Sequence, residues 1–235
     1  MKNIKTQPFQ FFLHIPKTAG TTLRKIVDMQ YGYKNVLTYY NQNSEHLLDN
    51  LESLLIKNPE YKALIGHFNF GVHNRISFPT TYTTFLRHPV SRTISHYKEW
   101  LVNHPDWLLD ENGNTQSLIE NINTNPENYS NYQCRMLTQT KSVVNKKKSL
   151  GEIALDNLLT YFSGIGLVEY FEESIILLSK NLGWKPINYK ALNVKNIDIE
   201  ITPELIELIL SINKQDIFLY EEMEKRLIHK IKAKI

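Results

Sequence analysis

The 235-residue sequence predicts an α/β fold of the phosphate-loop type, a mostly parallel central sheet flanked by helices. Three observations predict it. Short apolar runs rich in β-forming residues alternate with one-faced helical patterns along the chain. The first such run passes directly into a turn rich in Lys, Gly and hydroxyl residues that opens a helix. The candidate strands end in His14, His67 and Arg87, which puts polar chemistry at the carboxyl ends, where open α/β sheets bind their ligands.

The first element runs Phe11-Phe12-Leu13-His14 into Ile15-Pro16-Lys17-Thr18-Ala19-Gly20-Thr21-Thr22-Leu23. A strand feeding such a turn presents backbone N–H groups to a phosphate. The order is not the Walker order G-x-x-x-x-G-K-[ST], because Lys17 precedes the glycine and no second glycine lies upstream. The helix is expected from about Thr21 to Met29, and Val36-Leu-Thr-Tyr-Tyr40 reads as a second strand. From Ser44 to Leu55, the apolar residues Leu47, Leu48, Leu51, Leu54 and Leu55 have the spacing of one helical face. Tyr61-Lys-Ala-Leu-Ile-Gly-His67 is a third candidate strand. Thr81-Tyr-Thr-Thr-Phe-Leu86 is a fourth, and it empties into Arg87-His88-Pro89, where proline suits a first helical position. Val90, Ile94, Tyr97 and Leu101 continue as an amphipathic helix, and Ile165-Gly-Leu-Val168 followed by Phe171, Ile175, Leu178 and Leu182 repeats the strand-then-helix pattern. One domain over residues 1–235, with a core from about 9 to 230, is the expectation.

Three of these motifs carry a resemblance. The Pro16-Lys17-Thr18-Ala19-Gly20-Thr21-Thr22 order resembles the 5′-phosphosulfate loop of sulfotransferases, which use 3′-phosphoadenosine 5′-phosphosulfate (PAPS) as donor. Arg87 with Ser95 eight residues later, across a strand-helix corner, is similar to the 3′-phosphate site of the same enzymes. Gly66-His67 is similar to the Gly-His that supplies the base in heparan sulfate 2-O-sulfotransferase-like enzymes. More weakly, Asn131-Tyr-Gln133-Cys-Arg135-Met-Leu137 resembles an Asn-x-Gln-x-Arg-x-Leu element of the carbohydrate enzymes called sulfotransferase family 2. Gly166 to Ser174 and Asn213 to Glu221 are similar to that group's later strand-helix segment and closing helix.

The resemblance implies in-line transfer of a sulfuryl group from PAPS to a hydroxyl, of a carbohydrate or another acceptor, leaving adenosine 3′,5′-bisphosphate. It implies that the N–H groups of Thr18, Ala19, Gly20, Thr21 and Thr22, with the Thr21 and Thr22 hydroxyls, hold the 5′-phosphate. Lys17 would sit at the bridging oxygen, Arg87 and Ser95 would hold the 3′-phosphate, His67 would be the general base, and no metal is required. The residue types suit these roles. A guanidinium makes forked bonds to phosphate, and imidazole, with an ordinary pKa of about 6.5, takes protons near neutral pH. His14, His73, His88 and His96 compete with His67 for the role of base, and His14, immediately before the loop, reads as a loop-supporting residue. Gln133 and Arg135 read equally as packing or salt-bridge residues, and the Asn-, Thr- and Pro-rich stretch from about Pro105 to Lys148 is the expected acceptor-binding insertion.

Composition narrows the classes further. No run of about 18 apolar residues exists, and the first eight residues lack the apolar stretch of a secretory signal, so a soluble, cytoplasmic enzyme without membrane insertion is expected. The single cysteine, Cys134, excludes an intrachain disulfide and reads as an inert core thiol. A formal charge of +3 with no recognition motif argues against a nucleic-acid partner, and Lys146-Lys147-Lys148 reads as a solvated loop. Phe68, Phe70, Trp100, Trp107 and Tyr129 have the chemistry to stack on a sugar or adenine, with core packing ranked first for each. Two other readings stand beside the resemblance. A phosphate-loop phosphotransferase would need a magnesium-holding hydroxyl after the loop lysine and an acidic strand end, whereas the strands here end in His and Arg. A non-catalytic nucleotide- or glycan-binding module would have no use for both Lys17 and His67.

Overall fold

The computed structural model describes residues 7–40, 45–138, 147–186 and 197–233. Five strands form one sheet: β1 (Phe9–Leu13), β2 (Val36–Tyr39), β3 (Ala63–Gly66), β4 (Thr80–Leu86) and β5 (Phe162–Leu167). Their order is β2-β3-β1-β4-β5, and every neighbouring pair is parallel. The chain leaves β1 for one edge, returns through β3 and crosses to the other side of β1 at β4. The carboxyl ends of β1, β3 and β4 therefore face a common crevice, the place where such a reversal of strand order makes room for a ligand.

β1 is buried on both faces, and alternation along it feeds two cores. Phe9, Phe11 and Leu13 point into one, with Leu51 and Leu55 of α3 (Leu51–Lys57), Ala154 and Leu158 of α7 (Leu150–Tyr161), and Leu219, Met223 and Leu227 of α10 (Lys214–Lys232). Phe12 points into the other, with Leu23, Ile26 and Val27 of α1 (Gly20–Tyr31) and Ile175 and Leu178 of α8 (Phe171–Leu182). A third cluster sits off the sheet. There Tyr97 and Trp100 of α4 (Pro89–Asn103) pack on Leu118 and Ile122 of α5 (Leu118–Thr124) and on Leu205 and Ile209 of α9 (Pro203–Ile212).

The apolar face running from Leu47 to Leu55 is split between α2 (Glu45–Asp49) and α3. Asn50, at φ −105° and ψ 12°, leaves the helical region, and its side chain shares the His46 carbonyl with its own N–H. An asparagine competes for backbone in this way without disturbing the apolar spacing. Cys134 is buried and free, in α6 (Tyr132–Met136), and burial pushes its thiol far up. Phe68, Phe70, Trp100 and Tyr129 are core, whereas Trp107 is 59% exposed. Lys148 pairs with Asp156; Lys146 lies outside the described residues. No helix among the described residues is long and apolar enough to cross a membrane.

Candidate active site

The loop between β1 and α1 is held in an unusual backbone shape. Lys17 at φ 72° and Ala19 at φ 63° both occupy the left-handed region without being glycine. Such residues cost about 1–3 kcal/mol each, and they persist where the surrounding structure over-determines them. Thr18 between them is buried, and its hydroxyl donates to the Ile15 carbonyl at 2.8 Å. The N–H groups of Thr18 and Thr22 are already bonded, to Ile15 and Ala19 carbonyls. Among the described residues this leaves Ala19, Gly20 and Thr21 as the N–H donors at the mouth of α1, where no side chain caps the helix. Gly20 is glycine for a steric reason: a Cβ there would lie 1.6 Å from Nε2 of His14. The His14 ring thus underpins the loop, as its position in the sequence suggests.

His67 follows the tight end of β3. A Cβ on Gly66 would lie 2.0 Å from the Tyr39 carbonyl oxygen, so glycine lets β2 approach, and the His67 N–H donates to that carbonyl at 2.7 Å. The imidazole Nδ1 lies 2.7 Å from the His14 carbonyl oxygen. A carbonyl only accepts, so Nδ1 carries the proton and Nε2 carries the lone pair. Edge-on contacts at 4.9 Å from Tyr40, and a tilted contact at 4.4 Å from His14, fix the ring plane. Burial lowers the His67 pKa, with Lys17 adding to the effect, while the bond to His14 and the charge of Glu99 act against it. The ring is neutral at neutral pH.

Arg87 ends β4 on the far side of β1. Its Nη1 donates to the Lys17 carbonyl at 3.2 Å, tying it to the loop, while Nε is buried without a partner. Its backbone is clamped by Gln133, whose Oε1 accepts from the Arg87 N–H at 3.0 Å and whose Nε2 donates to the Arg87 carbonyl at 2.8 Å. Gln133 is in turn set by Asp216, which accepts the Gln133 and Cys134 N–H groups at 3.0 and 2.8 Å and so caps α6 from α10. Asn131 returns the favour, its Oδ1 accepting from the Gln215 N–H at the start of α10 at 2.9 Å. The Gln133 side chain therefore has a definite task that its motif alone left open. Arg135 has another: it donates to the carbonyls of Ser130 and Glu127.

α4 starts at Pro89, just after Arg87. Ser95 is partly buried in its second turn, and the stripe Arg92, His96, Glu99 runs along the helix at helical spacing. Arg92 is fully buried and stacks 4.6 Å over the Tyr132 ring, with its three nitrogens lacking hydrogen-bond partners. Sequence reading passed over Tyr40 and Glu99. The first hides as the last residue of an apolar strand, and the second shows only as the residue one turn beyond Ser95. Among the described residues no group of three His, Cys, Asp or Glu side chains is gathered as metal ligands.

Two histidines link the site to acid stability. Burial drives His14 and His96 from 6.5 to about 3 each, with neighbouring positive or imidazole groups adding to it. The unfolded chain binds protons that these folded rings refuse. Stability should therefore fall as pH drops below 6.5, by up to about 1.4 kcal/mol per unit for each ring, and the loss should level off near pH 3. Thermal melts between pH 7 and 4 check this: His96→Gln should flatten the acid slope, and an unchanged slope would contradict the account.

The comparisons with known proteins agree with the fold. A crystal structure of a sulfotransferase from Alicyclobacillus acidocaldarius is similar in fold, with a TM-score of 0.55 over 93% of this chain and 96% of that one at 14% identity. No curated protein sequence matches. The family model described as the sulfotransferase family matches residues 4–221, nearly the whole chain. The chain belongs to the sulfotransferase family and is an enzyme, a transferase.

Proposed function

We propose that the enzyme moves a sulfuryl group from PAPS to a hydroxyl of a carbohydrate, with His67 as general base. The observation that carries the reading is the 2.7 Å bond from His67 Nδ1 to the His14 carbonyl, which leaves a neutral imidazole with its Nε2 lone pair at the crevice. An acceptor hydroxyl within about 3 Å of Nε2 would pass its proton there as its oxygen attacks.

The residues present fit a donor with two anionic ends. One end meets the uncapped start of α1, with the Ala19, Gly20 and Thr21 N–H groups and the Thr21 and Thr22 side chains beside Lys17. The other meets Arg87, whose buried Nε has no protein partner, with Ser95 on the adjoining helix. The Thr18 side chain is an exception among the loop residues, because its hydroxyl closes the loop onto Ile15 and its role is to hold shape. When bound, PAPS supplies the activated sulfuryl group and an anionic leaving phosphate. Lys17 is the group this chain offers to the charge that grows on that phosphate. Burial lowers the Lys17 pKa, and Arg87 adds to the effect, while Glu99 opposes it.

Arg87→Ala should weaken adenosine 3′,5′-bisphosphate binding by about 1.5–3 kcal/mol, and Arg87→Lys should recover only part, because the fork is lost. Ser95→Ala should cost about 1 kcal/mol. Calorimetric titration checks both, and unchanged affinity in folded Arg87→Ala would remove the residue from the donor site. The whole reading is tested by transfer of label from radiolabelled PAPS to a glycan panel. Tight binding of ATP with magnesium and none of the bisphosphate would overturn it.

A further inference from the structure

The C-terminal half of α4 and the turn after it form a wall that carries a carboxylate and an exposed indole. Ser95 and Glu99 share one face of α4, a single turn apart, with Glu99 farther along the helix from Arg87. The Glu99 side chain is 26% exposed, its Oε1 accepts from Asn103 Nδ2 at 3.2 Å, and it lies 3.8 Å from His104 Nε2. His104 lies flat against Trp107, with centroids 4.0 Å apart and planes 8° apart, and Trp107 also meets Trp100 edge-on at 5.6 Å. The indole is thereby fixed in orientation while remaining 59% exposed.

The chemistry of this wall is that of a neutral sugar site. A carboxylate accepts hydrogen bonds from hydroxyls, an immobilised indole offers an apolar plane to the C–H face of a pyranose, and the same carboxylate repels an anion. We infer that Glu99 and the Trp107–His104 stack form an acceptor subsite that selects an uncharged saccharide over one bearing carboxylates or sulfates next to the reacting hydroxyl. The inference rests on the proposal that the acceptor lies over His67. The cations Lys17 and Arg87 are assigned there to the donor phosphates and Arg24 and Asp28 near Tyr40 pair with each other, which leaves Glu99 as an unneutralised charge to meet the acceptor.

The electrostatics support the placement. Burial lowers both Lys17 and His67 from their ordinary values, and Glu99 is the acidic group that acts on each of them in the opposite sense. A carboxylate that reaches both the base and the loop lysine also reaches an anion bound between them.

Methyl β-cellobioside and its C6-oxidised uronate are a matched neutral and anionic pair. Their binding to the protein saturated with adenosine 3′,5′-bisphosphate, measured calorimetrically, should favour the neutral sugar at least tenfold. Glu99→Gln should reduce that ratio about tenfold, and raised salt should narrow it in the wild type but not in the variant. Trp107→Ala should weaken both sugars about tenfold and leave the ratio unchanged. An equal ratio in the wild type and Glu99→Gln, unchanged affinity in Trp107→Ala, or no binding of either sugar would overturn the subsite. Label transfer from PAPS to the same sugars is a separate readout. Binding with the expected ratio but without transfer would sink the sulfuryl-transfer reading while leaving the subsite standing.

Discussion

Replacing His67 with alanine should lower kcat by about 10²–10⁴-fold while leaving the affinity for adenosine 3′,5′-bisphosphate nearly constant. A base acts on the acceptor proton in the transition state, and the ring makes its observed contacts with His14 and Tyr40 rather than with the phosphate loop N–H groups. The pH profile gives a second reading. Protonation of Nε2 removes the base, so the wild-type rate should fall as pH falls, and the limb should lie below the ordinary histidine value because burial lowers this one. His14 after β1 and Tyr40 after β2 pack against the ring, and Lys17 from the loop and His96 and Glu99 from α4 act on it electrostatically. Of these, only Lys17 and Glu99 bear charge near neutrality, and they push the limb in opposite directions. The limb should vanish in His67→Ala. Full turnover of that variant at saturating acceptor would place the base elsewhere.

The second large effect lies outside the crevice. Asp216→Ala should destabilise the fold by about 3–5 kcal/mol, the scale of breaking a buried charge arrangement by removing one partner. Asp216 is fully buried; burial raises its pKa, while the N–H bonds from Cys134 and Gln133 and the field of Arg92 pull it back. Its removal leaves those two N–H groups and the Arg92 guanidinium buried without an acceptor or counter-charge. Asp216→Asn keeps an acceptor oxygen and should cost less. Urea denaturation checks both, and a loss under about 1 kcal/mol in Asp216→Ala would show that Arg92 finds its compensation elsewhere.

The layers of the fold were legible because each strand and its following helix announce themselves locally. The buried runs at Phe11, Leu64 and Phe85 and the one-faced pattern after Pro89 need no distant partner to be read. The site was legible where backbone constraint dictates residue type, as at Gly20 under His14 and Gly66 against Tyr39. It was not legible where the meaning of a residue depends on a partner far along the chain. Gln133 is an ordinary polar residue until Arg87 is beside it, and Glu99 is an ordinary helix carboxylate until the fold brings its charge to bear on Lys17 and His67. The break at Asn50 escaped for the opposite reason, since it changes the path of the chain and leaves its apolar period intact.

The links from Arg87 to Gln133 and from Gln133 to Asp216 span 46 and 83 residues, and this sets an order in which the enzyme can be born. A chain leaving the ribosome presents its phosphate loop, Arg87 and Ser95 before residues 133 and 216 have been added. Yet the amide and carbonyl of Arg87 stay unclamped until Gln133 arrives, and Gln133 has no cap until the final helix docks, because long-range closures come late. If these residues hold the nucleotide as proposed, affinity should therefore switch on only after residue 216 has been made and α10 has docked. A nascent chain stalled before residue 216 would carry every residue proposed to hold the phosphates and hold no donor.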